Sequence, residues 1–168
     1  FLMLNYLRYC FENEKYDKYI LILPAYKFEQ NDSYSFIDSK RKDINILTSY
    51  HEAVTMQLYN IQTKAKDKKK TLFILDDASG MSVFNIDPSL RQLITVLRHC
   101  NVSLWLLIHA AKGILSTFIR MNTDVLLLSK ITNKKLLETI YEEYLSMTEE
   151  YGRDVAGQKN FVNDFRTL

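Results

Sequence analysis

The stretch TLFILDD, residues 71–77, is the strongest indication of the fold in this chain. Four apolar residues, Leu72–Leu75, run directly into the acids Asp76 and Asp77. Such a run is typical of a strand that is buried on both faces of a parallel sheet, whose carboxyl end opens onto a ligand site. Two buried carboxylates are unfavourable unless they serve a divalent cation or a proton transfer. The alternative is a strand that ends in an acidic turn, where Asp is common.

Further apolar runs alternate with helical patterns along the chain. Strands are predicted at residues 18–23, 72–75, 102–108 and 124–128, and a short strand or edge piece at 44–47. Helices are predicted at residues 1–14, 50–66, 88–99, 114–121 and 133–145. Strands that alternate with helices form parallel sheets with right-handed crossovers. We therefore predict an α/β fold with a mostly parallel sheet flanked by helices.

The composition sets the broad class of protein. The chain has 168 residues, of which 47% are hydrophobic and 25% charged, as in a globular domain with a substantial core. A net charge of +2 is too small to indicate a nucleic-acid partner by itself. The apolar stretches are too short to span a membrane, and residues 1–4 do not resemble a signal peptide. Cys10 and Cys100 are predicted to be packed thiols rather than a disulfide, which favours a reducing compartment.

Polar side chains follow the predicted strands where each one ends. Besides the two acids, His109 follows the run at 102–108 and Lys130 follows the run at 124–128. The carboxyl ends of parallel strands share one edge of the sheet, so these groups are expected to lie together. A nucleoside-triphosphate site needs a carboxylate for the metal, a group that orients water and a polar sensor of the terminal phosphate.

The chain lacks the glycine-rich loop GxxxxGK(S/T) that cradles phosphates in P-loop proteins. Its glycines lie outside that pattern, at positions 80, 113, 152 and 157. In P-loop proteins the helix after this loop leads into a strand, and residues 1–14 and 18–23 match that helix and strand. We therefore predict a P-loop core whose first strand and P-loop would precede residue 1.

Three blocks of sequence together resemble one protein family. The acids at 76 and 77 after their apolar run look like a Walker B strand. Residues 97–109, LRHCNVSLWLLIH, are similar to the Arg-His, apolar strand and Gln segment of the poxvirus-type DNA-packaging ATPases in the FtsK–HerA superfamily. Residues 115–124, LSTFIRMNTD, resemble the Ile-Arg-x-Asn segment before that family's last core strand. The order and spacing of the blocks agree over roughly residues 1–145.

The resemblance implies a RecA-like core that assembles into a homo-oligomeric ring. Such a ring hydrolyses ATP with Mg²⁺ and moves double-stranded DNA into a viral capsid, with a capsid or portal-type protein as a further partner. It implies no membrane, and a location in the host cytoplasm, a viral factory or the virion. Residues 1–145 would be the partial ATPase core, and residues 146–168 a polar C-terminal segment.

The resemblance also assigns roles to single residues. Asp76 would hold the magnesium ion, and Asp77 would orient or activate the attacking water. His109 stands where the family usually has a sensor Gln; it can donate a hydrogen bond, but its charge varies near neutral pH. Arg98 and Arg120 match two arginines of the family, and either would reach a neighbour's phosphate as an arginine finger. Lys130 matches no motif of the family.

Two alternatives remain at this point. The chain could belong to another P-loop motor, such as a helicase or a conjugation pump. It could also be a catalytically inactive P-loop-like domain for interaction or assembly, which the missing loop and His109 favour. Lysines at 64–70 and at 134–135 are candidate DNA contacts, although a lysine run before a strand is more often an exposed helix end.

Overall fold

The computed structural model describes residues 2–23, 36–37, 42–76, 87–108, 117–128, 131, 133–142 and 155–167. The strands are β1 (Lys18–Ile22), β2 (Ile44–Leu47), β3 (Thr71–Leu75) and β4 (Val102–Leu106). The helices are α1 (Leu2–Glu12), α2 (Glu52–Lys64), α3 (Pro88–Val96), α4 (Thr117–Met121), α5 (Lys134–Ile140) and α6 (Val155–Thr167). The predicted alternation of helices and strands is confirmed as far as β4.

The four strands form one parallel sheet with the order β2-β1-β3-β4. Ile22 of β1 lies opposite Leu75 of β3, which lies opposite Leu106 of β4. Each pair of consecutive strands is joined through a crossover, as parallel strands require. The predicted α/β class with a parallel sheet flanked by helices is confirmed, and so is the short edge strand at residues 44–47.

The centre of the sheet is covered on both faces. On one face, Leu7 and Cys10 of α1 pack in one buried cluster with Tyr19, Leu72 and Ile74 of β1 and β3. The alternate residues of β3 point the other way and are equally buried. Burying one such side chain contributes about 1.5–3 kcal/mol, so the continuous apolar run of β3 is well suited to this central position.

Local capping determines where two of the helices begin. His51 precedes α2, and its Nδ1 accepts a hydrogen bond from the N–H of Ala53 at 3.1 Å. Asp87 precedes α3, where Pro88 occupies the first turn and needs no N–H. α2 ends before Ala65, whose backbone is extended, so this helix is shorter at both ends than the predicted range 50–66.

Residues 124–128 contradict the sequence-based prediction of a strand. No strand of the described part of the chain includes them. Val125 and Leu127 are 73% and 74% exposed, whereas Leu126 and Leu128 pack on a cluster formed by α5 and α6. The side chains therefore alternate as in a strand, but no strand among the described residues pairs with the backbone. An apolar run becomes a strand only where another strand completes its hydrogen bonds.

The chain divides into two compact units, Phe1–Ala110 and Ala111–Leu168. In the second unit, the Asn133 side chain caps α5 by accepting from the N–H of Leu136 at 3.2 Å. Tyr141 stacks on Phe161 of α6, which lies in the C-terminal segment that the sequence left unassigned. The division into an ATPase core at residues 1–145 and a C-terminal segment at 146–168 concerns function and stays a prediction.

Both cysteines are buried free thiols, as predicted. Burial raises the pKa of Cys10 and of Cys100 above the ordinary value for a thiol. Thiols with a raised pKa stay protonated near neutral pH and react slowly. Within the ranges that the structure describes, no helix is both long and apolar enough to cross a bilayer.

Candidate functional site

Asp76 is the first residue after β3 and lies at the carboxyl edge of the sheet. Its N–H donates to the carbonyl of Ile22 at 3.0 Å, which extends the pairing with β1 by one residue. On the other side, the N–H of Leu107 donates to the carbonyl of Leu75 at 2.9 Å. Hydrogen bonds to both neighbouring strands therefore fix the backbone where the acid emerges, and Asp76 is only 3% exposed.

The burial of Asp76 has a chemical consequence. An ionised carboxylate that loses its water needs hydrogen bonds or a cation in exchange. Mg²⁺ keeps several waters and phosphate oxygens, so one or two protein carboxylates are enough to bind it. No group of three or more His, Cys, Asp or Glu in the described part of the chain could hold a metal. The carboxylate of Asp76 has the kind of oxygen ligand that Mg²⁺ accepts.

The other residues predicted for this edge are Asp77, His109 and Lys130, which lie outside the described residues. Their predicted roles stay predictions. Arg120 lies in α4, and the structure gives only its place in that helix. Of the predicted site residues at this edge, the structure therefore describes Asp76 alone.

Arg98 lies at the opposite edge of the sheet. It is exposed and belongs to the turn between α3 and β4, where its carbonyl accepts from the N–H of Asn101 at 3.3 Å. Five residues of β4 then separate this turn from the carboxyl edge, a distance of roughly 16 Å at a rise of about 3.3 Å per residue. Arg98 and Asp76 therefore do not meet within one chain. The predicted finger role of Arg98 requires the phosphate of a neighbouring subunit.

A polar cluster at the starts of α2 and α3 was not predicted from the sequence. The Asp87 carboxylate accepts from the N–H groups of Ser89 and Leu90, at 2.7 and 3.3 Å, and from the hydroxyl of Tyr50. The Ser89 hydroxyl donates to Glu52 at 3.0 Å, which ties the two helices together. The signal in the sequence is an Asp directly before Pro-Ser, a strong helix start. Because the carboxylate is occupied by caps and by Tyr50, the cluster is structural.

Comparison with known proteins adds no relative to these observations. No protein-family model matches the sequence, and no curated protein or solved structure gives a significant match.

Proposed function

We propose that this chain is part of a P-loop ATPase that moves double-stranded DNA into a viral capsid. The observation that carries the proposal is Asp76, a buried acid at the carboxyl end of an interior strand in a parallel sheet. Open α/β sheets bind ligands at this edge. In P-loop NTPases an acid at this place helps to hold the magnesium ion of the nucleotide.

The outer edge of β4 supports the proposal that a further strand carries the P-loop. β4 has an apolar sequence typical of an interior strand, yet most of it is only partly buried. The first half of α1 lies beside β4, because Tyr6 stacks on Trp105 at 5.2 Å and Met3 and Leu4 pack on the same cluster as Trp105. A strand that precedes α1 and pairs with β4 would end close to the start of this helix.

Such a strand would bring the phosphate loop near Asp76. It would lie two strand spacings from β3, about 10 Å away, on the same edge of the sheet. The loop would join the start of α1, and helix starts favour phosphate groups through their free N–H groups and their dipole. This arrangement lets phosphates bound at the loop share one magnesium ion with Asp76.

The remaining parts of the proposal follow the resemblance. Asp76 would bind Mg²⁺, which neutralises charge on the phosphates of ATP, and Asp77 would orient the attacking water. His109 would contact the terminal phosphate. Arg98 and Arg120 would serve neighbouring subunits of a homo-oligomeric ring. A capsid or portal-type protein would be the further partner, in the host cytoplasm, the viral factory or the virion.

The test is ATP turnover by the full-length protein that contains this chain. Asp77→Asn should lower turnover by about 100-fold or more while ATP still binds, because a water-orienting group acts in the transition state. Asp164→Asn, the same change at an exposed acid of α6, is the matched control and should leave turnover unchanged. Near-normal turnover in Asp77→Asn would overturn the assigned role.

The 168-residue chain on its own should show no Mg²⁺-dependent ATP hydrolysis, because it contains no P-loop. Hydrolysis by this chain, abolished by EDTA, would mean that its phosphate site lies elsewhere.

The alternative function is an inactive P-loop-like module for interaction or assembly. The absence of GxxxxGK(S/T) from these 168 residues favours it. ATP binding separates the two proposals, because a full-length protein that assembles but does not bind ATP with Mg²⁺ would be such a module.

A further inference from the structure

The amino edge of the sheet, opposite Asp76, carries a concentrated positive charge. The chain enters β1 through residues 13–18 and enters β3 through residues 64–70. These two segments contain seven lysines and three acids, a net charge of +4, whereas the whole chain has +2. We call them the lysine edge. The rest of the chain therefore has a net charge of −2, so the net positive charge of the chain comes from these two segments.

Hydrogen bonds to its backbone hold the lysine edge in place. The N–H of Asp17 donates to the carbonyl of Lys70 at 2.8 Å, and the N–H of Lys70 donates to the Asp17 carboxylate at 2.7 Å. From α2, Gln62 donates to the carbonyl of Lys69 at 2.7 Å, and from the turn before β4, Asn101 donates to the carbonyl of Lys68 at 3.0 Å. A surface that is already ordered loses less entropy when it binds a partner.

The charges of the lysine edge are not neutralised within the described part of the chain. No ion pair there involves a lysine of residues 13–18 or 64–70. Lys15 lies over the ring of Tyr9, Lys70 lies over the ring of Tyr16, and Lys68 donates to the carbonyl of His99. Lys64, Lys66 and Lys69 are exposed to solvent. Like charges that are held close together repel, and a partner with opposite charge relieves that repulsion.

Lys134 and Lys135, the other candidate DNA contacts in the sequence, differ from the lysine edge because one of them forms an ion pair. Lys134 pairs with Glu138 at 3.5 Å on the surface of α5. One of the two charges at 134–135 is therefore already matched by a carboxylate one helical turn away. The structure ranks the lysine edge above residues 134–135 as a surface for an anionic partner.

We propose that the lysine edge binds the phosphate backbone of double-stranded DNA without regard to base sequence. Its exposed ammonium groups are point charges that suit a row of phosphates. Its two segments contain no arginine, the residue most used to read guanine in the major groove. The choice of duplex DNA rests on the proposed function, whereas the anionic character of the partner rests on charge alone.

An anionic membrane is the other macromolecular partner that a basic surface can have. Interfacial membrane binding needs apolar side chains next to the basic ones. Apart from Tyr16 and Ala65, the lysine edge contains only polar and charged residues. Tyr16 packs beside the core and lies under Lys70. The composition therefore favours a nucleic acid over a lipid surface.

The experiment compares two triple variants of the 168-residue chain with equal loss of charge. The first is Lys64→Gln, Lys66→Gln and Lys69→Gln, and the control is Lys134→Gln, Lys135→Gln and Lys159→Gln, all exposed in the structure. Fluorescence anisotropy measures binding to a mixed-sequence duplex of about 30 base pairs at about 50–200 mM NaCl, without nucleotide. Circular dichroism and thermal melting verify that both variants fold.

We expect the lysine-edge variant to bind DNA about 10- to 100-fold more weakly at the low-salt end, and the control to change less than about 3-fold. If three phosphate contacts are lost, the slope of log K against log salt should decrease by about 2.7, at about 0.9 per contact. Equal weakening in both variants would mean that net charge alone binds DNA and would overturn the proposal. Tighter binding of the wild type to phosphatidylserine vesicles than to the duplex would also overturn it.

This test is independent of ATP hydrolysis. The lysine edge and Asp76 lie at opposite ends of the strands, roughly 16 Å apart along five residues. If the lysine substitutions do not weaken DNA binding, the ATPase proposal is unaffected. If Asp77→Asn has normal ATP turnover, in turn, the proposed DNA-binding surface is unaffected.

Discussion

β3 and β4 are paired neighbours with similarly apolar sequences, yet they lie in different environments. All five residues of β3 are buried, whereas four of the five residues of β4 are partly exposed. β3 has β1 on one side and β4 on the other, and β4 has one partner within the described chain. An apolar run therefore predicts that a strand forms, but its burial depends on neighbours that come from distant parts of the sequence.

The largest effect on stability is expected from a pair of substitutions at paired positions of the two strands. Phe73 and Leu104 are opposite one another in the pairing of β3 with β4. Phe73 is fully buried, so Phe73→Ala should lower the free energy of unfolding by about 3–5 kcal/mol. Leu104 is partly exposed, so Leu104→Ala should lower it by about 1–2 kcal/mol. Urea denaturation of the 168-residue chain measures both.

Equal losses of unfolding free energy from the two substitutions would contradict this expectation, because β4 would then be as well covered as β3. The same pair also tests the proposed extra strand. In a full-length protein where a strand covers the outer edge of β4, the loss from Leu104→Ala should approach the range of about 2–5 kcal/mol for a buried leucine.

A smaller effect is expected where the chain enters the two strands. Gln62 is 3% exposed and donates to the Thr71 hydroxyl at 2.8 Å and to the Lys69 carbonyl before β3. Gln62→Leu keeps the volume but removes both hydrogen bonds, so it should lower the free energy of unfolding by about 1–3 kcal/mol. Thermal and urea unfolding give the value.

The matched control is Asn101, whose side chain donates one exposed hydrogen bond before β4 and whose φ is 54°. Asn101→Gly removes that bond and still allows the positive φ. We expect a loss of about 0.5–1 kcal/mol. A loss as large as that of Gln62→Leu would show that the entry into β4 is as important for stability as the entry into β3.

The smallest expected effect concerns the two buried thiols. Cys10 packs against the centre of the sheet, and Cys100 lies in the turn before β4. Burial raises the pKa of both, so both should react slowly with iodoacetamide near neutral pH. Because the edge of a sheet opens locally more often than its centre, Cys100 should react faster than Cys10. Mass spectrometry resolves the two, and faster labelling of Cys10 would contradict the expectation.

The same pKa shifts predict how the thiols affect stability with pH. A raised pKa in the folded state means that the unfolded chain loses its thiol protons first as the pH rises. The contribution of these thiols to stability is therefore complete below the ordinary thiol pKa of 9.0 and decreases as the pH rises above it.

The sequence predicted most of the sheet because its strands are short apolar runs between clear helix starts. The prediction failed at residues 124–128, where Leu126 and Leu128 pack on two helices and no strand among the described residues pairs with the backbone. Periodicity reports which side chains are buried, and it does not report whether the backbone has a partner. The helix α6 was not predicted, because its polar sequence has a weaker apolar face than α1.

The candidate site was predictable to the extent that it depends on strand ends. Asp76 follows β3 directly, so the sequence predicted its edge of the sheet. Arg98 precedes β4, so its position at the other edge could have been predicted from the order of the elements. The ordered backbone of the lysine edge could not, because hydrogen bonds from Asn101 to Lys68 and from Lys70 to Asp17 connect segments that are far apart in sequence.

Among the described residues β4 has a paired strand on one side only, and its other edge affects how this polypeptide behaves in concentrated solution. Its residues, Val102–Leu106, include no charged residue and no proline, the features that keep natural sheet edges from pairing with other molecules. Exposed N–H and C=O groups beside apolar side chains are a template on which a second copy can add a strand. This edge therefore favours self-association of the chain. Any segment or partner that covers β4 would also protect the chain from aggregation.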